Sequence, residues 1–352
     1  MNFRPFLLLP VLCFAAAVSL HAQPSSMQPL AFPVVKGKTY RFERVADGVY
    51  YATGGFGGKN VVLVNDDDVV LVDTGTTPAT ARALVDDIKV ITPKPLRTVI
   101  NTHWHYDHTD GNSVFGPDVE IIAHDFVREA LTAYKVVERE PYLGSQGTVV
   151  PARIETLKKQ IAAEGNAARK TALASELAAA QQTLTELKAI RQTPPTLTYS
   201  NKLVLHRGSR EIDLLFLGRG HTAGDTVVFL PRERIVVTGD LVESRLAYMG
   251  DAYFDDWITT LEALKKLDFD LMLPGHDIPF RDRNLITAFQ AYLNDLVAKG
   301  AELRRQGVSA DDAAQRIDLT AHAKAFPQIT GPGAEVRGMR HLYEWLAERD
   351  AR

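Results

Sequence analysis

His103-Trp104-His105-Tyr106-Asp107-His108 places four metal-binding side chains within six residues, directly after the apolar run Thr98-Val99-Ile100. Three imidazoles and a carboxylate this close repel one another once protonated and are costly to desolvate. A divalent cation removes both difficulties. His103 and His105 can face one ion while Asp107 and His108 turn toward a second. The plain alternative is a polar loop rich in histidine. With 10 His in 352 residues, chance does not supply so dense a cluster.

Three later segments extend the pattern: Gly220-His221-Thr222-Ala223-Gly224-Asp225, Thr238-Gly239-Asp240 and Pro274-Gly275-His276. Each sets one ligand-type residue beside a glycine. Val236-Val237 precedes Asp240, and Leu271-Met272-Leu273 precedes His276. Any one of them alone reads as an ordinary turn residue. In this order they read as strand ends delivering ligands to one rim of a sheet.

With these motifs the chain resembles the metallo-β-lactamase-fold hydrolases, from about residue 40 to about residue 279 apart from one insertion. The resemblance rests on the His-x-His-x-Asp-His core, the His-Thr-x-Gly-Asp turn, the Thr-Gly-Asp turn and the Pro-Gly-His turn. Val72-Asp73-Thr74-Gly75 matches the family's structural Asp turn. It implies a four-layer αββα sandwich. It implies one metal held by His103, His105 and His221, a second held by Asp107, His108 and His276, and Asp240 bridging the two. Two zinc ions are the implied cofactor, and iron is compatible with the same ligands. Asp107 and Asp240 are the implied catalytic carboxylates.

The N-terminal residues read differently. Arg4 precedes an apolar run from Phe6 to Leu20, then His21-Ala22 and the polar Gln23-Pro24-Ser25-Ser26. Residues 1–22 are expected to be a secretory signal, cleaved after Ala22, on a protein bound for a periplasm or the exterior. The run is too short to favour a membrane span. Cys13, the single cysteine, lies inside it, so a second metal would have only nitrogen and oxygen ligands. The net charge is −3, and −4 without Arg4. That balance leaves no basic footprint for nucleic acid and argues against a nuclease.

Residues 23–39 are expected to form an extended, proline-containing arm, and residues 40–280 the metal-binding domain. Strand patterns occupy 40–43, 49–51, 61–64, 69–72, 98–101, 203–205, 212–217, 227–230, 235–237 and 271–273. Gly54-Gly55-Phe56-Gly57-Gly58 reads as a mobile hairpin tip. Thr77-Pro78 opens a helix to about residue 90, Asp125 is the expected N-cap of another to about residue 137, and a third covers 255–267. An insertion at about 126–199 carries apolar steps of three and four, predicting two helices broken at Gly165-Asn166 and stopped by Thr193-Pro194-Pro195. It is a helical face on its own domain, a lid beside the cleft or a homodimer contact. Residues 281–352 are expected to be a mostly helical segment.

Two divalent ions about 3.5–4 Å apart lower the pKa of a water held between them to near neutral. Two zincs, two carboxylates and a hydroxide leave about one net positive charge, which favours small anionic substrates. The expected reaction is cleavage of an acyl C–N, C–O or C–S bond. Many β-lactamases of the resembled family have cysteine or another non-bridging residue where this chain has Asp240. The thioesterase and lactonase branches have the bridging Asp, so β-lactam cleavage is expected to be weak or promiscuous. A mononuclear iron oxygenase of persulfides is the competing class, and a metal-stabilised scaffold that binds a partner is the third. The diiron flavoprotein branch usually has Glu where His105 stands. Asp73 and Thr222 are expected to hold the ligands' outer nitrogens. Trp104 and Tyr106 are expected to pack, and Arg245 to grip a substrate carboxylate or sit solvated on the surface. His124, His206, His322 and His341 are assigned no role.

Overall fold

The computed structural model describes residues 29–55, 57–133 and 145–351. The expected signal at 1–22, Phe56 and the end of the helix predicted to reach residue 137 lie outside the described residues. The first sheet has eight strands in chain order: β1 (Val34–Lys36), β2 (Arg41–Ala46), β3 (Val49–Thr53), β4 (Asn60–Val64), β5 (Val69–Val72), β6 (Leu96–Ile100), β7 (Glu120–His124) and β8 (Leu197–Tyr199). It is antiparallel through β5 and parallel from β5 to β8. The second sheet runs β13-β12-β11-β10-β9, built from β9 (Lys202–Arg207), β10 (Arg210–Phe216), β11 (Thr226–Leu230), β12 (Ile235–Gly239) and β13 (Leu271–Pro274). Only its β12–β13 pair is parallel.

The described helices are α1 (Pro78–Ile88), α2 (Tyr106–Thr109), α3 (Asp125–Ala133), α4 (Val150–Ala163), α5 (Ala167–Ala189), α6 (Phe254–Leu264), α7 (Asn284–Arg305), α8 (Ala310–Arg316) and α9 (Val336–Asp350). Strand alternation decides the layering. Val61, Leu63, Val70 and Val72 face Ile212, Leu214, Val228 and Leu273 across the gap between the sheets. Val62, Leu71, Val99 and Ile121 turn the other way, onto Leu84 and Ile88 of α1. Both faces of the sheet are apolar because both are covered. Trp257 of α6, Phe289 of α7, Phe326 and Leu342 of α9 cover the outer face of the second sheet. The result is the expected αββα sandwich, with the C-terminal helices forming part of its outer layer.

Some local expectations change. Within the expected arm, residues 34–36 pair with β2. Strands β7 and β8 carried no strong pattern. Glu120–His124 has polar ends, and Leu197–Tyr199 has three residues, so each is set by its parallel neighbour rather than by periodicity. Asp125 does not cap α3. His124 Nδ1 accepts the Phe126 N–H at 3.2 Å, while Asp125 accepts from Ser200 Oγ. The hairpin breaks where expected, and Asn166 caps α5 by accepting the Arg169 N–H. Leu187 and Ile190 at its base pack on Ala123, Val127 and Leu131. Thr77 Oγ1 donates to Glu186 Oε2 at 3.1 Å, tying that base to the start of α1.

Asp87, near the end of α1, fixes the entry of the chain into β2. It accepts the N–H groups of Lys38, Thr39 and Tyr40 at 2.9, 2.7 and 2.7 Å. Burial opposes its ionisation, but the three amides outweigh it and hold its pKa below the ordinary value. Its stabilisation is therefore complete above the unfolded pKa of about 3.9 and is lost as pH falls through the lower folded value. Asp87→Ala is expected to lower the unfolding free energy at neutral pH by about 3 kcal/mol in urea denaturation, with the gap from wild type shrinking in acid.

Candidate metal centre

Each ligand-type residue sits just beyond the C-terminal end of a strand. β6 leads to His103 and His105, and the single turn of α2 carries Asp107 and His108. β10 leads into the His221 turn, β12 ends just before Asp240, and β13 ends before His276. Gly275 lets the last two loops meet, since a Cβ there would lie 2.2 Å from Asp240 Oδ1.

These loops bring together the residues named from sequence. His103, His105, His221 and Asp240 form one group whose donor atoms lie within 4.8 Å of one another, and Asp107, His108 and His276 form a second. His221 Nε2 is 2.9 Å from His105 Nδ1. Asp240 Oδ2 lies 3.8 Å from His103 Nε2, 3.6 Å from His221 Nε2 and 3.3 Å from His276 Nε2. Its Oδ1 lies 3.4 Å from His108 Nε2. His276 Nε2 is 2.9 Å from Asp107 Oδ2. Nitrogens 2.0–2.1 Å from a tetrahedral ion lie about 3.4 Å apart, so these separations suit a shared cation. Among the described residues, the buried atoms His103 Nε2, His108 Nε2 and Asp240 Oδ1 have no hydrogen-bond partner. Buried polar atoms without partners are costly, and cations held by the two groups would satisfy all three.

The electrostatics agree. Burial holds the His103 pKa well below its ordinary value and lowers that of His221 to about 3, leaving neutral nitrogen donors. Burial also opposes charge on His108 and His276. Asp240 and Asp107 outweigh it, holding His108 well above the ordinary range and raising His276 to about 10. Burial would raise Asp107 and Asp240 too, yet the neighbouring imidazoles hold both well below the usual carboxylate range. Protons thus sit where positive charge is needed, and metal binding would displace them.

Outer contacts orient the imidazoles. Asp73, expected in this role, accepts from His108 Nδ1 at 2.8 Å and from Thr102 N and Oγ1 at 2.7 and 2.8 Å. Thr222 does not reach a ligand. Its N–H and hydroxyl both donate to Asp225, and that contact shapes the turn presenting His221. Burial pushes Asp225 up to about 7.

Sequence reasoning missed two carboxylates. Asp251 lies 3.0 Å from His105 Nε2, which turns Nδ1 of that ring toward His221. Glu243 is buried beside Asp240 and His276 and accepts from Arg245 Nε at 2.8 Å; burial, then Asp240, raise it to about 7. Neither carries a motif. Asp251 meets its partner across 146 positions. Trp104 and Tyr106 pack against the base of the hairpin, and Arg245 is largely buried rather than solvated.

The sequence model described as the metallo-beta-lactamase superfamily matches residues 54–276. The chain belongs to the metallo-beta-lactamase superfamily. Members are metal-dependent hydrolases, and the His/Asp cluster is of the superfamily's metal-binding type. Among relatives, the chain is 26% identical to the 2,4-dinitroanisole O-demethylase subunit alpha of a Nocardioides species, over 80% of this chain and 67% of that one. It is 24% identical to a type 2 metallo-beta-lactamase of Bacillus cereus, over 64% of this chain and 70% of that one. A solved inverting sec-alkylsulfatase from a Pseudomonas species superposes with a TM-score of 0.60 at 18% identity, covering 86% of this chain. The chain spans 50% of that alkylsulfatase's length.

If Asp251 fixes the His105 ring, Asp251→Ala should weaken divalent-metal binding by roughly 10–100-fold. Chelator competition measures this, and the circular dichroism spectrum should stay unchanged.

Proposed function

We propose that the chain is an exported dinuclear zinc hydrolase that cleaves an acyl C–N, C–O or C–S bond of a small anionic substrate. The observation that carries this reading is the pair of donor groups meeting at Asp240, whose Oδ2 lies within 4 Å of His103, His221 and His276 and whose Oδ1 lies beside His108. His103, His105 and His221 would hold one ion; Asp107, His108 and His276 would hold the other. Two bound zinc ions supply an activated water at neutral pH and polarise the scissile bond.

The chain's own residues do the rest. Asp240 spans both donor groups and orients the nucleophile between them. Asp107, on the more open side and 2.9 Å from His276, accepts the proton that the nucleophile releases. Asp73 and Asp251 hold His108 and His105 in single tautomers. The buried floor of Trp257, Leu241 and the sheet ends keeps bulk water from the rear of the site.

A carboxylate at the shared position supports thioester or lactone substrates, with β-lactam turnover slower. The relatives' names extend the test to an alkyl sulfate and an aryl methyl ether. Iron remains the second reading, because the donor set is nitrogen and oxygen only, which suits iron as readily as zinc.

Protein expressed without added metal should contain two zinc ions per chain and turn over at least one of a thioester, a lactone, a chromogenic β-lactam, an alkyl sulfate and an aryl methyl ether. Asp240→Ala and Asp107→Ala should each lower kcat/KM by about 10³ or more. One iron per chain with no hydrolysis would overturn the zinc reading. Export has its own check: the mature protein recovered from the periplasm or medium should begin at Gln23 by intact mass. A full-length cytosolic product would contradict it.

A further inference from the structure

The strand-joining segment that faces the open side of the metal cluster places a lysine there. Gly58 N–H donates to the Asp107 carbonyl at 3.2 Å, and Lys59 N–H donates to the Gly275 carbonyl at 2.6 Å. A Cβ on Gly58 would lie 2.7 Å from His108 Cε1, so only glycine permits this approach. Lys59 is thereby pinned between the loops carrying Asp107 and His276, whose side chains are 14% and 19% exposed. They are more open than the nearly fully buried His103, His108 and His221, so Lys59 stands beside the more open of the candidate ligands.

The Lys59 ammonium is half-buried, and among the described residues it makes no hydrogen bond or ion pair. Its charged neighbours are Arg245, Asp277 and Asp107. Arg245 spends Nε on Glu243 at 2.8 Å. Its terminal nitrogens have no partner among the described residues, and the side chain borders a cavity of about 620 Å³ shared with Tyr248 and Arg337. Asp277 and Asp107 offset part of this positive charge, and the N–H donors left on the two cations can hold a further anion.

We infer that Lys59, with Arg245 behind it, is the positioning site for an oxyanion group on the substrate, a carboxylate or a sulfate. This rests on the proposed hydrolase reading and names the residues that give it anion specificity. Lys59 neither holds the metals nor takes part in bond breaking; it binds the end of the substrate away from the scissile bond.

The test compares 4-nitrophenyl acetate, which is neutral, with 4-nitrophenyl hydrogen succinate, which carries a carboxylate, on metal-loaded wild type, Lys59→Met and Lys59→Arg. Lys59→Met should raise KM for the succinate ester about tenfold or more and leave KM for the acetate nearly unchanged. Lys59→Arg should restore most of the loss. Metal content should stay equal, and the melting temperature of Lys59→Met should not fall, because an unpaired cation has been removed. Equal effects on both esters, or none on either, would overturn the inference while leaving the hydrolase reading intact. If wild type cleaves neither ester, that reading fails for these substrates, and calorimetric titration with succinate decides the anion site. Weaker binding by Lys59→Met supports it; unchanged binding overturns it.

Discussion

Five imidazoles and two carboxylates converge at one end of the sandwich, most of them buried and several within 4 Å of one another. Taken from water without positive charge among them, these groups would repel and leave polar atoms unpaired. The chain resolves this in two ways at once. Burial keeps His103 and His221 neutral, while Asp107 and Asp240 hold charge on His108 and His276. The surrounding architecture serves the same end. The strand ends bring the candidate ligands into range, Gly275 allows the last two loops to touch, and Asp73 and Asp251 turn rings whose other nitrogens face the centre.

That need explains the layering. The candidate ligands, spread over some 170 positions, meet because two sheets pack face to face with their loops at one rim. The inter-sheet core of Val61, Leu63, Val70, Leu214, Val228 and Leu273 supplies that packing. The C-terminal helices extend the outer layer. Through Arg337, whose guanidinium lies 4.7 Å above the Tyr248 ring, they also reach the wall of the cavity beside the site. The helical hairpin is different: its base packs beside Trp104 and Tyr106, while most of α5 is exposed.

The parts legible in sequence were those with local chemistry. Paired histidines, a glycine beside each later ligand and alternating apolar strands are short-range signals, and Asp73 came with its own turn. What was not legible depends on partners distant in the chain. Asp251 acquires its role only when it meets His105, and Glu243 only in the company of Asp240 and His276. Lys59 looks like any loop lysine until the Gly275 carbonyl fixes its place. Thr222 was read as supporting a ligand because it follows His221, but Asp225 three residues on offers its hydroxyl a closer acceptor. Strands β7 and β8 failed for a related reason, since their identity comes from parallel neighbours rather than from a pattern of their own.

The central claim is that two cations share Asp240. Diffraction from crystals of metal-loaded protein, recorded on either side of the metal absorption edge, tests it most directly. The account predicts two anomalous peaks about 3.5–4 Å apart, one among His103, His105 and His221, the other among Asp107, His108 and His276, with the Asp240 carboxylate touching both. A single peak, or none with the histidines bonded only to the carboxylates, would contradict it.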